Sequence, residues 1–229
     1  MKRLIILLFP ALAAAVALQA QVPTNPALAR SMDSIFKRDQ LYRQLLYAID
    51  TNQVLKDSIA RAARIPAQRD RVVEYLVNEM AIIDSANLRF IDSIIKKQGY
   101  PGKTVLGAQK AFIPWLIIHH ADPDVLAAYM PVFKEAVDKG EMLFANYAYS
   151  LDRMLVGQGK EQRYGSQVAE GVMKKTGKKM KFIWPLEEPA RVNERRKTAG
   201  IDGTIEEYAR LHGFEYQVVK LGDFRMEEE

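Results

Sequence analysis

The chain has three histidines and no cysteine, so the side chains able to move protons near neutral pH are few. Two of the histidines stand side by side in the string His119-His120-Ala121-Asp122. An imidazole beside carboxylates suits general acid–base work, and His120 is the candidate acid or base, with Asp122 or Asp152 as the carboxylate that orients it. A histidine at a helix end also complements the helix dipole, and Asp122 suits the N-cap of the next helix. A metal site needs a third ligand, which His-x-Asp does not supply. Neither metal nor cofactor is expected. His-Glu-x-x-His, Gly-x-Ser-x-Gly and phosphate-loop motifs are absent from the sequence.

Further polar clusters follow. Asp152-Arg153 ends an otherwise apolar helical stretch, and Gln162, Tyr164, Gly165, Ser166 and Gln167 come soon after. These amides, phenol and hydroxyl suit recognition of a polar ligand, and equally suit tying a loop to a helical core. Glu187, Arg195 and Arg196 form the third group. One of the two adjacent arginines can turn inward while the other stays wet. An inward arginine binds a carboxylate or phosphate in two-pronged fashion, or pairs with Glu187 or Asp152. An acid–base reading has Arg153 or Arg196 holding an anionic group.

The elements that must position these residues are mainly helical. Met32, Ile35, Phe36, Tyr42, Leu45, Leu46 and Ile49 recur at three- and four-residue spacing, which predicts a helix over about Ala27 to Ile49. Asp39 and Arg43 lie four apart and are expected to pair on its surface. A weaker segment, Thr51 to Arg64, stops near Ile65-Pro66. A long helix from about Gln68 to Lys97 buries Val73, Leu76, Val77, Met80, Ile83, Leu88, Ile91 and Ile94, and Gly99-Tyr100-Pro101-Gly102 ends it. The next helix, about Thr104 to His119, should kink at Pro114. Asp122-Pro123-Asp124 restarts a helix running to about Lys139, and another covers Glu141 to Val156. Glycines then crowd the chain. Val168–Met173 and Met180–Trp184 read as a β-hairpin around a solvated lysine-rich turn. Pro189 starts a short helix ending at Gly200. Thr204 with Glu207 has capping-box spacing, and Phe214 to Leu221 reads as a last strand. The fold class is mainly α, a helical domain with a small β-hairpin in its C-terminal third.

The polar strings together resemble an uncharacterised bacterial family, catalogued as a domain of unknown function. Ile117-Ile118-His119-His120-Ala121-Asp122 is similar to its Gln-His-Ala-Asp step. Asp152-Arg153 with Gly159, Gln162 and Tyr164-Gly165-Ser166-Gln167 is similar to its Asp-Arg…Gly-x-x-Gln-x-Tyr-Gly-Thr-Gln run. Pro185-x-Glu-Glu-Pro189, Val192, Arg195-Arg196 and Gly200 resemble its Pro-x-Glu/Asp-Asp-Pro…Arg-Arg segment. Asp39-Gln40-x-x-Arg43, Asp84-x-x-Asn87 and Gly99-Tyr100-Pro101 resemble weaker parts of the pattern. The resemblance spans about residues 33 to 210. His119 stands where the family more often has glutamine, Ser166 where it has threonine, and Glu188 where aspartate is usual. The recurrence of these polar residues implies demands beyond core packing, and so a shared pocket.

Met1-Lys2-Arg3, an apolar run from Leu4 to Leu18 broken by Pro10, and Gln19-Ala20-Gln21 read as a signal peptide cleaved near Ala20. Without Lys2 and Arg3 the formal net charge falls from +5 to +3. That is too mild for nucleic acid to be the default partner. The absence of cysteine excludes a lipid-anchored lipoprotein, thiol chemistry and cysteine-bound metal. No later stretch is apolar enough to span a bilayer, so no transmembrane anchor is expected after cleavage. The plan is a signal peptide over residues 1–20, an extended leader over 21–32, a single mainly helical domain over 33–213, and a C-terminal strand with a frayed acidic tail over 214–229. The favoured reading is an exported protein, periplasmic or secreted, that binds a small polar ligand or an envelope protein. The candidate binding residues are His120, Asp122, Asp152, Arg153, Gln162, Tyr164, Gln167, Glu187, Arg195 and Arg196. The alternative is a hydrolase-type enzyme with His120 as acid or base.

Overall fold

A computed structural model describes residues 23–226. Residues 1–22, which include the stretch expected to be a signal peptide, and residues 227–229 lie outside the described residues. Those described are mainly helical and divide into two compact units, 23–121 and 122–226.

The first unit is all helical. α1 (Pro26–Ala48) begins at Asn25, whose side chain accepts from the Leu28 N–H. The leader expected to be extended over 21–32 is therefore helical from Pro26, because an asparagine cap followed by proline is a strong helix start. α2 (Gln53–Ala63) opens on Asn52 in the same way, and α3 (Arg69–Gln98) is the long helix. The stretch expected as one kinked helix is two short ones, α4 (Lys103–Leu106) and α5 (Ile113–His119). Gly107 takes a left-handed conformation that stops α4. Pro114 lies in the first turn of α5, where its missing N–H costs nothing, so it starts a helix and kinks none. Every residue of α5 is buried. α1 packs on α3 and α5, and α3 also packs on α5. Ile49, Ala60, Val72 and Leu76 form a core cluster where α2 joins them.

The second unit pairs α6 (Pro123–Asp138) with α7 (Phe144–Gly157). An added Cβ on Gly157 would lie 2.3 Å from the Pro123 side chain, so glycine is needed for that approach. Pro131 sits inside α6 as expected. β1 (Val168–Met173) and β2 (Lys179–Ile183) form the expected antiparallel hairpin, and its five lysines are exposed. β3 (Phe224–Arg225) pairs antiparallel with the other edge of β1, giving the order β2-β1-β3. The strand expected over Phe214 to Leu221 is not formed. That segment is irregular and inserts Val219 beside Phe182 and Phe224. A 3-10 turn, Pro189–Arg191, leads into α8 (Val192–Thr198). α9 (Ile205–Leu211) carries the full capping box between Thr204 and Glu207. Among the described residues no helix is long and apolar enough to cross a membrane.

Candidate functional site

Two polar clusters emerge, one in each unit. In the first, the apolar stripe of α1 runs Ala29, Met32, Ile35 and then continues in phase through Asp39 and Arg43, both buried. The pair expected on the surface is thus in the interior, since steps of three and four residues keep it on the packed face. On α3 the buried stripe of Val72 and Leu76 likewise continues to Asn87 and Ile91, with Asp84 one turn before Asn87. His120 follows α5 as its C-cap residue.

Asp39, Arg43, Asp84 and His120 meet. Arg43 grips Asp84 with two parallel hydrogen bonds, Nη1 to Oδ1 at 2.9 Å and Nη2 to Oδ2 at 2.6 Å. Its Nη1 also donates to the Asp39 carbonyl at 2.5 Å and lies 3.3 Å from Asp39 Oδ1. The other Asp39 oxygen accepts from Gln40 Nε2 at 2.6 Å. His120 Nδ1 stands 3.1 Å from Asp39 Oδ1. The carboxylate that orients His120 is therefore Asp39. Asp122 is exposed, opens α6 with no side-chain cap bond, and gives only its carbonyl, to Leu126. Among the described residues His120 Nε2 has no hydrogen-bond partner, and the side chain keeps 13% of its exposure. Arg43 Nε and Asn87 Nδ2 are fully buried and also unpartnered. The neighbouring His119 is buried and stacks near Trp115, with centroids 5.0 Å apart.

The second cluster is closed on itself. Asp152, fully buried on α7, accepts from the backbone N–H groups of Arg163, Tyr164 and Ser166 and from the Ser166 hydroxyl, at 2.8–3.2 Å. Burial pushes its carboxyl above the ordinary value, while those donors pull the other way. Gln162 binds both ways across the loop, its amide donating to the Gln167 and Trp184 carbonyls and accepting from the Gln167 N–H. Arg196 donates to the carbonyls of Tyr164, Asp202 and Gly203 and lies over the Tyr208 ring at 5.2 Å. Arg195 donates to the carbonyls of Arg163, Glu187 and Glu188. Gly165 has φ of +71°, and a Cβ there would strike Ile205 at 2.3 Å. Glu187 is exposed and pairs with Arg163 at 3.2 Å, and Arg153 is half-buried on α7.

So Asp152, Gln162, Tyr164, Gln167, Arg195 and Arg196 come together, but on backbone groups of their own loops. They form a brace. The carboxylate and arginine partners of His120 come instead from Asp39, Arg43 and Asp84. Among the described residues no set of histidine and acid side chains could hold a metal ion.

The class so defined is a mainly helical protein with a small antiparallel sheet, an Asp–His pair in its helical unit and a self-saturated polar brace in the other. The chain belongs to the family of unknown function DUF6624, whose model matches residues 39–220. That span takes in every residue of both clusters. No curated protein and no solved structure gives a match.

Proposed function

We propose that this is an exported protein that binds a small polar ligand at the Asp39–His120 cluster of the first unit. Export is supported by the charged start and short apolar run of residues 1–20. The observation that carries the binding reading is the unused polarity at one place. His120 Nε2 and the buried Arg43 Nε lack partners in a cluster whose carboxylates, Asp39 and Asp84, are paired. Buried polar groups are nearly always satisfied, and exceptions point to a ligand or a bound water. In the second unit the buried Tyr216 hydroxyl also lacks a partner, but Asp152, Gln162 and Arg196 of the brace are bonded within their own loops, so they read as structural.

A thermal-shift screen of small polar metabolites with the full mature chain tests the reading. A hit is expected to stabilise the wild type and not His120→Ala. A ligand that stabilises both equally, or whose effect vanishes only in Arg195→Ala, would move the site elsewhere. The hydrolytic alternative is supported by one observation, the pairing of His120 Nδ1 with a carboxylate. That pairing holds the opposite nitrogen ready to accept a proton.

A further inference from the structure

We propose that Asp39 and His120 form a general-base pair that activates water against an uncharged or cationic acyl ester. The inference rests on the ligand-site reading and extends it to a reaction and a substrate class. With its Nδ1 facing the Asp39 carboxylate at 3.1 Å, the His120 ring carries its proton on Nδ1 and presents a lone pair at Nε2. Three neighbours fix Asp39 itself: His120, Gln40 Nε2 at 2.6 Å and Arg43 Nη1 at 3.3 Å. Asp84 is the positioning residue one step back, since its two-pronged grip sets the guanidinium that faces Asp39.

The charges choose the substrate. Asp39 and Asp84 against Arg43 leave the cluster one negative charge in excess while His120 is neutral. An imidazolium forming at His120 cancels that excess, so the transition state gains what the resting state lacks. An anionic ester meets the opposite effect, because the single arginine is already occupied by two carboxylates. The hydrolysis balances simply. Nε2 takes a proton from water as its oxygen attacks the acyl carbon. The bond from that carbon to the alcohol oxygen then breaks, and the same proton passes from Nε2 to the leaving oxygen. Ester and water become acid and alcohol, and Asp39 keeps its charge throughout. Arg43 Nε, buried without a partner in the same cluster, is the donor left for a bound water.

Two measurements on the full mature chain test this. Long-range proton–nitrogen NMR at pH 8 is expected to show His120 as the Nδ1–H tautomer, with Asp39→Asn releasing that preference. Hydrolysis of p-nitrophenyl acetate and butyrate is expected to fall about 10²–10⁴-fold in kcat/KM in His120→Ala, with p-nitrophenyl phosphate untouched by the wild type. An Nε2–H tautomer in the wild type overturns the proposal without need of any variant. So does wild-type ester hydrolysis no faster than that of His120→Ala. If a metabolite still stabilises the wild type through His120 in that event, the binding reading survives and only the hydrolytic step is lost.

Discussion

Asp39 and Asp152 are both carboxylates buried to 1% or less on helices, and they are used in opposite ways. Asp152 faces a loop and gathers N–H groups from Arg163, Tyr164 and Ser166, so its work is finished within the fold. Asp39 faces other side chains and hands its order on, through Oδ1, to an imidazole whose far nitrogen is unengaged. The arginines repeat the contrast. Arg196 spends its nitrogens on three carbonyls, whereas Arg43 serves two carboxylates and keeps a buried Nε unpaired. A polar cluster tied to backbone stabilises a loop. The polar cluster tied to side chains, with a donor left over, is the one we propose as the site.

The contrast breaks first at Asp152. Asp152→Ala leaves several buried N–H groups without an acceptor, each worth about 1–3 kcal/mol. The sum is comparable with the whole stability of a domain, and urea titration followed by circular dichroism is expected to show the second unit largely unfolded. A loss under 1 kcal/mol would mean that the loop closes without its brace. Arg196→Met is next. It strips donors from three carbonyls but keeps much of the packing on Tyr208, and the same titration should read a loss of about 2–4 kcal/mol.

Smaller effects sharpen the picture. Glu188 holds φ of +45°, a left-handed conformation unfavourable for a side chain. Glu188→Gly is expected to raise stability by about 0.5–1 kcal/mol, and a loss would show that its pairs with Arg191 and Arg195 matter more than the backbone. The smallest effect is at His212. Burial, aided by Lys181, holds its imidazole below the ordinary value of 6.5. The fold then prefers the neutral ring, so stability is lost as pH falls from about 6.5 toward the lower folded value. A slight drop in melting temperature over that window should disappear in His212→Gln.

Much of the architecture could be read from the residues alone. The hairpin, the capping box at Thr204, the interior Pro131 and the long third helix follow from spacing and capping chemistry. Pro114 misled because proline at a helix start and proline in its middle look alike until the preceding turn at Gly107 is known. Phe214 to Leu221 alternates like a strand, yet β1 takes its second partner from Phe224–Arg225, and the alternation serves packing. His120 stood out as a rare residue. Its neighbours did not, because Asp39 and Arg43 on α1, and Asp84 close to Asn87 on α3, lie among apolar residues where polar ones pass for surface ones. The signal was their phase, in step with Met32 and Ile35 on one helix and with Leu76 and Ile91 on the other. Family resemblance emphasised the Tyr-Gly-Ser-Gln and Arg-Arg strings, which turn out to hold loops.

The most direct test of the division between site and brace is the equilibrium stability of His120→Ala by urea titration. Asp39 keeps Arg43 and Gln40 when the imidazole is removed, and Nε2 had no partner to orphan. The account therefore expects a loss of under about 1 kcal/mol, within the range of substitutions that strand no buried group. A loss of about 3 kcal/mol or more, matching Arg196→Met, would contradict it and make His120 one more member of the structural framework.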